Sequence, residues 1–149
     1  MGLRTRVIVI SFLFGFIVQG GICEEKVYNA GVDSKAIMRC SKNVLGQDIT
    51  YPSIKTPEVT CLNVTIHPGQ QTGWHTHSVP GYAYVISGKM KIEYKNSQSR
   101  EFKAGDAFCE VVDTPHNGIN EGADDVVLVA FFMGEQGVDF TKKLKGVHF

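Results

Sequence analysis

The sequence predicts an all-β sandwich or barrel, because short apolar and β-branched segments alternate with turn residues and almost no segment has a helical period. The chain has 149 residues, 43% of them hydrophobic, and its 15 basic residues balance its 15 acidic residues. This composition is typical of one globular domain. The basic residues are scattered along the chain, so the sequence indicates no nucleic-acid partner.

Residues 1–23 differ from the remainder and predict a secretory signal peptide, because a short basic start precedes an apolar run from Val7 to Val18. A dozen apolar residues is fewer than the roughly 20 that a membrane-spanning helix needs. We therefore expect membrane contact only through this segment, if it stays uncleaved. Cleavage after Cys23, cleavage near Gly20 and lipid attachment at Cys23 are the alternatives that the residues leave open.

The rest of the chain, residues 24–149, is predicted to be a single domain with its core at about 35–134, exported to a periplasm or secreted. Export would place Cys40, Cys61 and Cys109 in an oxidising compartment. Two interpretations stay open. Either Cys40 pairs with Cys61 and Cys109 is a buried free thiol, or all three are small buried residues.

The first three predicted strands are one single strand followed by two that we expect to form a hairpin. Val59–Ile66 is rich in β-branched residues and ends at a Pro-Gly turn. Tyr82–Ile86 is the next strand, and Ser87–Gly88 turns the chain into Met90–Tyr94. In this last segment apolar residues alternate with charged ones, which predicts one solvent-exposed face.

Weaker patterns complete the element list. Lys35–Cys40 has a faint strand pattern, and Arg100–Lys103 and Ala107–Val112 are two further predicted strands. Val126–Met133 is an unbroken apolar run, which favours a fully buried strand over a helix because it is short and β-branched. One helical turn is expected around Thr141–Leu144.

The most informative stretch contains His75 and His77. Residues two apart in an extended chain point to the same side, so two imidazoles project from one strand face. Neutral imidazole is the commonest protein ligand for Zn, Fe, Cu and Ni. Two of them supply half of a four-coordinate shell, and His116 is the best candidate for a third ligand.

These residues resemble the two sequence motifs of the cupin superfamily, in its small single-domain, type-2-like form. The resemblance covers residues 65–120 well and rests on the following positions: Gly69, His75, His77, Gly88, Gly105, His116 and Asn120. Two features depart from the family pattern. Gly81 stands where motif one has a glutamate, and Val111 and Asp113 stand where motif two has a proline and a glycine.

The resemblance implies an antiparallel jelly-roll barrel in which His75, His77 and His116 bind one divalent transition metal ion, whose identity among Fe, Mn, Ni, Cu and Zn is open. It also implies a homodimer formed through edge strands. Three-histidine sites occur in the wider superfamily among thiol and diketone dioxygenases, so the missing glutamate does not remove the metal. Three neutral ligands would leave the ion's charge uncompensated and favour an anionic exogenous ligand.

Glu110 is the obvious substitute carboxylate, since it precedes His116 by six residues. Three roles are open for it: a direct metal ligand, a partner that holds an imidazole in one tautomer, or an exposed strand carboxylate. Tyr82 and Tyr84 share one strand face, and two roles are open for them: packing in the core or across strands, which strands favour for aromatic residues, or lining and closing the cavity. Trp74, next to His75, is expected to point away from it.

Three classes of function follow, and the residues do not decide among them. The first is a metal-dependent enzyme, either a dioxygenase or an isomerase acting on a small molecule. The second is a module that binds a small anion or sugar without turning it over. The third is a structural or storage barrel stiffened by its metal.

Overall fold

The structure, a computed structural model, describes residues 30–95 and 97–146 and confirms the all-β prediction. The predicted signal peptide at residues 1–23 lies outside the described residues. The chain divides into two compact units, Met1–Lys35 and Ala36–Phe149. In the first unit, residues 30–35 are exposed and contain a turn but no helix or strand. Across the described ranges, no helix is long and apolar enough to cross a membrane.

Within its described residues, the second unit has nine strands, which pair antiparallel in two sheets. The strands are β1 (Pro57–Ile66), β2 (His75–His77), β3 (Gly81–Ser87), β4 (Lys89–Tyr94), β5 (Ser99–Lys103), β6 (Ala107–Cys109), β7 (His116–Ile119), β8 (Val126–Glu135) and β9 (Thr141–Lys143). One sheet has the order β1-β8-β3-β6 and the other has the order β5-β4-β7-β2-β9.

The four-stranded sheet is built on β8, which pairs with β1 along its whole length, from Pro57 opposite Glu135 to Ile66 opposite Val126. Burial alternates along β8, and Phe131 is exposed. The prediction that Val126–Met133 is buried on both faces is therefore wrong. This strand packs one face on the core and presents apolar residues on the other face as well, so its sequence shows no alternation.

The predicted strands Tyr82–Ile86 and Met90–Tyr94 are confirmed as β3 and β4, and the turn between them depends on Gly88. The prediction that they form a hairpin is wrong, because β3 pairs with β6 and β8 in one sheet and β4 pairs with β5 and β7 in the other. Gly88 has a φ of 79°, a conformation that costs L side chains energy. A Cβ at this position would also lie 2.6 Å from the carbonyl oxygen of Asp125. Any larger residue here would collide with the backbone that leads into β8, so the turn ties the two sheets together.

Three weaker expectations are wrong. Residues 35–40 form no strand, and β6 ends at Cys109 rather than Val112. Thr141–Lys143 is strand β9 instead of a helical turn, and it pairs with β2. The last two errors concern short strands, β6 and β9, whose bounds are fixed by pairing with β3 and β2, and a local pattern does not contain that pairing.

The core lies where the inward faces of the two sheets meet. Its most deeply buried apolar side chains come from β3, β4, the segment after β6, and β8: Val85, Ile92, Tyr94, Val111 and Val126. The core fills only part of this interior. The remainder is a cavity that the three predicted histidines line.

Candidate metal centre

The structure brings the three predicted histidines together on neighbouring strands. His75 lies directly opposite His116 in the pairing of β2 with β7, and His77 follows on the same face of β2. Their ring centroids are 4.3 to 5.0 Å apart. One ring nitrogen from each lies within 4.8 Å of the other two. The cluster therefore results from two features: His75 and His77 are two residues apart on β2, and His75 pairs across the strands with His116.

Each imidazole is oriented by a hydrogen bond at Nδ1. His75 Nδ1 lies 2.7 Å from the carbonyl oxygen of Gly73, and His116 Nδ1 lies 2.9 Å from that of Thr114. A carbonyl oxygen only accepts, so each Nδ1 carries the proton and donates it. The Nε2 lone pairs are consequently free, which is the arrangement that metal-binding histidines adopt.

His77 is held in the same way by the segment that leads into β9. Its Nδ1 lies 2.9 Å from Oγ1 of Thr141 and 3.4 Å from the carbonyl oxygen of Phe140. The hydroxyl can accept the Nδ1 proton, and the carbonyl can share it. The chain therefore returns 64 residues later to fix the tautomer of this ring.

All three histidines are kept neutral. The pKa of His77 is lowered to about 3 and that of His116 to about 4. Burial is the main cause in both, and repulsion from the neighbouring histidines is the second cause. Burial also lowers the pKa of His75. At neutral pH each ring thus offers an unprotonated nitrogen, which is the form that binds a metal ion.

Glu110 lies beside this cluster, immediately after β6. It is 8% exposed, and its Oε2 lies 3.8 Å from Nε2 of His116. Among the described residues neither of these two atoms has a hydrogen-bond partner. Burial raises the pKa of this carboxyl to about 7. An unpartnered nitrogen and an unpartnered carboxylate oxygen facing each other fit a cation between them.

This geometry narrows the role of Glu110. The exposed-carboxylate interpretation is wrong, because the side chain is buried. Its carboxylate faces Nε2 of His116, and the Nδ1 atoms of the three rings already have chain oxygens as partners. The tautomer-holding role is thus filled by Gly73, Thr114 and Thr141.

Gly81, the residue that departs from motif one, lies next to Glu110. The two are joined by a 2.8 Å hydrogen bond from the Glu110 amide to the Gly81 carbonyl. A Cβ at position 81 would lie 2.6 Å from the ring of Phe132 and 3.3 Å from Cβ of Glu110. The absence of a side chain at 81 therefore leaves room for the phenyl ring, and a carboxylate enters the site from the neighbouring strand instead.

The cavity in front of the histidines has a volume of about 200 Å³. Its lining does not include Trp74, in agreement with the sequence analysis, nor Tyr82 or Tyr84. The expectation that these tyrosines line the cavity is wrong. They lie on the outer face of the four-stranded sheet, where the hydroxyl of Tyr82 donates to that of Tyr51 at 2.9 Å, while Ala83 and Val85 point inward.

Other candidate residues lie away from the site. His67 is exposed and bonds the carboxylate of Asp125 at 2.9 Å, in keeping with a structural or solvated residue. Cys40, Cys61 and Cys109 are all free thiols, and of the three only Cys109 is buried. The structure thus shows neither a Cys40–Cys61 bond nor three buried cysteines.

The sequence analysis missed Thr141, Phe132 and Lys143, which complete the site. Phe132 packs against His77 with ring centroids 4.5 Å apart, and Lys143 lies opposite His75 in the pairing of β9 with β2. Nothing near His77 in the sequence signals these residues. The inward position of Phe132 follows from the burial pattern of β8, which its unbroken apolar sequence does not indicate.

Residues 62–132 match a family model described as Cupin domain. Together with the two antiparallel sheets, this match shows the double-stranded β-helix fold that is found in cupins. The resemblance inferred from the two histidine motifs is thereby confirmed for the fold. The presence of a signal peptide stays a prediction.

Several solved structures share this fold at low sequence identity. A DMSP lyase from Ruegeria pomeroyi DSS-3 has 13% identity and a TM-score of 0.50, over 57% of this chain and 42% of that chain. The oxalate decarboxylase of Lactobacillus farciminis, in a formate complex, has 22% identity and a TM-score of 0.50, over 58% and 26% of the two chains.

A shorter protein gives a comparable match. It is an uncharacterized conserved protein with a double-stranded β-helix domain from Klebsiella pneumoniae, with 22% identity and a TM-score of 0.50 over 61% of this chain and 86% of that chain. This chain covers less than half the length of the lyase and the decarboxylase. No curated protein sequence matches it. At these identities the matches are evidence for a common fold alone, and the chemistry of those proteins is not transferred to this chain.

Proposed function

We propose that this protein is an exported cupin in which His75, His77 and His116 bind one divalent transition metal ion, either Fe, Mn, Ni, Cu or Zn, beside a small-molecule cavity. The observation that carries the proposal is the convergence of three neutral imidazoles whose Nδ1 atoms are all held by oxygens of the chain. Three imidazole ligands suit these metals and leave further coordination positions open toward the cavity.

A titration with Co²⁺ followed by its visible absorption tests the site. We expect one equivalent to bind with the absorption of a nitrogen-ligated ion, and we expect His116→Ala to weaken binding strongly because it removes one of three ligands. An unchanged titration in this variant would contradict the proposal. His67→Ala is the matched control, since His67 is exposed, bonds Asp125 and does not belong to the histidine cluster.

The catalytic form of the proposal is a small-molecule dioxygenase or isomerase. The ion would supply Lewis-acid or dioxygen chemistry when bound. Within the chain, the observation that favours catalysis is Glu110, because a buried carboxyl with a pKa raised to about 7 can accept or donate a proton near neutral pH. Its carboxylate lies 3.8 Å from His116 and lines the cavity, so it can reach a bound ligand.

Dioxygen uptake by the metal-loaded protein, measured over a panel of thiols, diketones and phenols, separates catalysis from binding. Uptake that disappears in His77→Ala supports a dioxygenase, and product formation without uptake supports an isomerase. The alternative is a binding module: a ligand that raises the melting temperature and is recovered unchanged supports it. If metal alone stabilises the protein and no compound binds, the structural or storage barrel is correct.

Export is the second part of the proposal, and the N-terminal sequence supports it. The segment from Val7 to Val18 is apolar and follows a basic start, as in signal peptides. N-terminal sequencing of the protein recovered from the periplasm or the medium tests this directly. We expect a mature start close to Glu24. Recovery of an unprocessed chain from the cytoplasm would contradict export.

A homodimer is the third part. Strand β1 lies at an edge of its sheet, and the outer face beside it exposes Val59 and Phe131. Such an edge next to apolar side chains suits pairing with a second copy. Light scattering on the purified protein should give twice the mass of the mature chain, which is smaller than the 16.4 kDa of the full 149 residues. The Phe131→Glu variant should be monomeric, and a monomeric parent protein would refute the dimer.

A further inference from the structure

The cavity in front of the histidines has polar side chains at one end and apolar side chains over most of its remaining wall. Most of its wall is formed by aliphatic side chains from β1, β4 and β8, namely Leu62, Val64, Met90, Ile92, Leu128 and Ala130. Apart from the weakly accepting thioether of Met90, none of these side chains can form a hydrogen bond. A ligand placed against this wall is therefore selected by its shape and its apolar surface.

The cavity's two charged side chains and the hydroxyl of Thr141 lie around the histidines. Glu110 lies 3.8 Å from His116, Thr141 is bonded to His77, and Lys143 lies opposite His75 in the strand pairing. Lys143 is exposed yet lines the cavity, which places it at the opening. A cationic side chain at the opening and a metal ion at the histidines would both attract a negatively charged group.

This unevenness disfavours a sugar. A sugar has hydroxyl groups around its whole ring, and several would face the aliphatic wall. Each buried hydroxyl without a hydrogen-bond partner costs about 1–3 kcal/mol. A ligand with one polar end avoids this cost, because it can place that end among the histidines and Lys143 and the rest against the wall.

The volume limits the length of the apolar part. About 200 Å³ corresponds to roughly seven groups of the size of a water molecule, at about 30 Å³ each. A carboxylate with four to six carbons fits this space, and a longer chain would protrude from the opening.

We propose that the ligand of this cavity is a small monocarboxylate with an unsubstituted apolar body of about three to five carbons beyond its carboxylate. The carboxylate binds at the histidine end, within reach of Lys143, and the body packs against the aliphatic wall. This inference rests on the proposed metal centre, since it assigns the ligand of that same site.

Calorimetric titration of the metal-loaded protein with acetate, butyrate, hexanoate and decanoate tests the proposal. Each buried methylene contributes about 0.8 kcal/mol, or about fourfold in affinity, so hexanoate should bind about 15-fold more tightly than butyrate. From hexanoate to decanoate we expect little further gain, because the cavity is full. Hexan-1-ol and glucose are the neutral probes, and both should bind at least tenfold more weakly than hexanoate.

Two variants assign the contacts. Lys143→Gln should lower the affinity for hexanoate several-fold and leave the affinity for hexan-1-ol unchanged. Lys142→Gln is the matched control, since Lys142 is equally exposed on β9 and does not line the cavity. Ala130→Leu should reduce the affinity for hexanoate more than that for acetate, because the added carbons occupy the space of the ligand's body.

The outcomes separate this proposal from that of the metal centre. Metal content is measured on the same samples, so a protein without metal refutes the metal centre, and the dependence on chain length and on Lys143 then tests the ligand class by itself. Equal affinities for acetate and hexanoate, equal affinities for hexanoate and hexan-1-ol, or tighter binding of glucose would each overturn the monocarboxylate assignment.

Discussion

Replacing Glu110 with glutamine should change how the stability of the metal-free protein depends on pH. Burial raises the pKa of this carboxyl from 4.5 to about 7 in the folded state. The unfolded chain therefore loses the proton first as the pH rises. The contribution of Glu110 to stability is present below pH 4.5 and is lost as the pH rises to about 7.

The size of this loss follows from the two pKa values. Between pH 5 and pH 8, linkage with pKa values of 4.5 and about 7 gives a loss of about 2.5 kcal/mol. Glutamine does not titrate, so Glu110→Gln lacks the loss. Its buried amide has a fixed cost of about 1–3 kcal/mol, which is the same at both pH values and cancels in the comparison.

Urea denaturation of the chelator-treated protein at pH 5 and at pH 8 measures the effect. At each pH, the free energy of unfolding of the variant is compared with that of the parent protein. This difference should shift in favour of the variant by about 2.5 kcal/mol from pH 5 to pH 8. Glu58→Gln is the matched control for the substitution, because Glu58 is an exposed glutamate on β1. An equal effect of Glu110→Gln at the two pH values would refute the account of this carboxyl.

Three further variants test the surroundings of the site. Thr141→Val removes the hydroxyl bonded to His77 Nδ1 and should lower the metal affinity roughly 10–100-fold in a chelator competition, while equal affinity would show that the bond is dispensable. Gly81→Ala places a Cβ 2.6 Å from the ring of Phe132 and should cost about 1–3 kcal/mol in urea denaturation; a neutral effect would mean that the ring moves freely. Asn120→Ala removes the hydrogen bonds that the side-chain amide donates to the carbonyl oxygens of Ile66 and Asp124, at 2.7 and 2.8 Å, and should lower the free energy of unfolding by about 2–4 kcal/mol. A loss below about 1 kcal/mol would contradict the role of Asn120 in connecting β1 to the loop before β8.

The strands and the histidine cluster were predictable because their signals are local. A two-residue spacing places His75 and His77 on one face, and a glycine with positive φ marks the turn at Gly88. The position of His116 could be predicted only through the resemblance to the family motifs. In the structure, its placement opposite His75 is a long-range strand pairing.

The errors arose where two faces of a strand look alike. In β3, Tyr82 and Tyr84 alternate with Ala83 and Val85, so both faces are apolar and the sequence does not indicate which one is buried. A shift of one residue would exchange them, and only pairing with β8 fixes the choice.

The partners of His77 could not be predicted for a different reason. Thr141 lies 64 residues further along the chain, on a strand so short that its three residues carry no recognisable period. The same limit applies to Glu110. Its position depends on the contact between β3 and the segment after β6, where the Glu110 amide donates to the Gly81 carbonyl, and neither local sequence contains that contact.

The most direct test of the metal centre is elemental analysis of the protein, expressed with its own N-terminal segment and purified without chelator. The parent protein is compared with the His75→Ala/His77→Ala double variant and with His67→Ala. We expect close to one equivalent of Fe, Mn, Ni, Cu or Zn in the parent protein and in His67→Ala, and almost none in the double variant. Equal metal content in all three proteins, or no metal in the parent protein even after reconstitution, would contradict the three-histidine site.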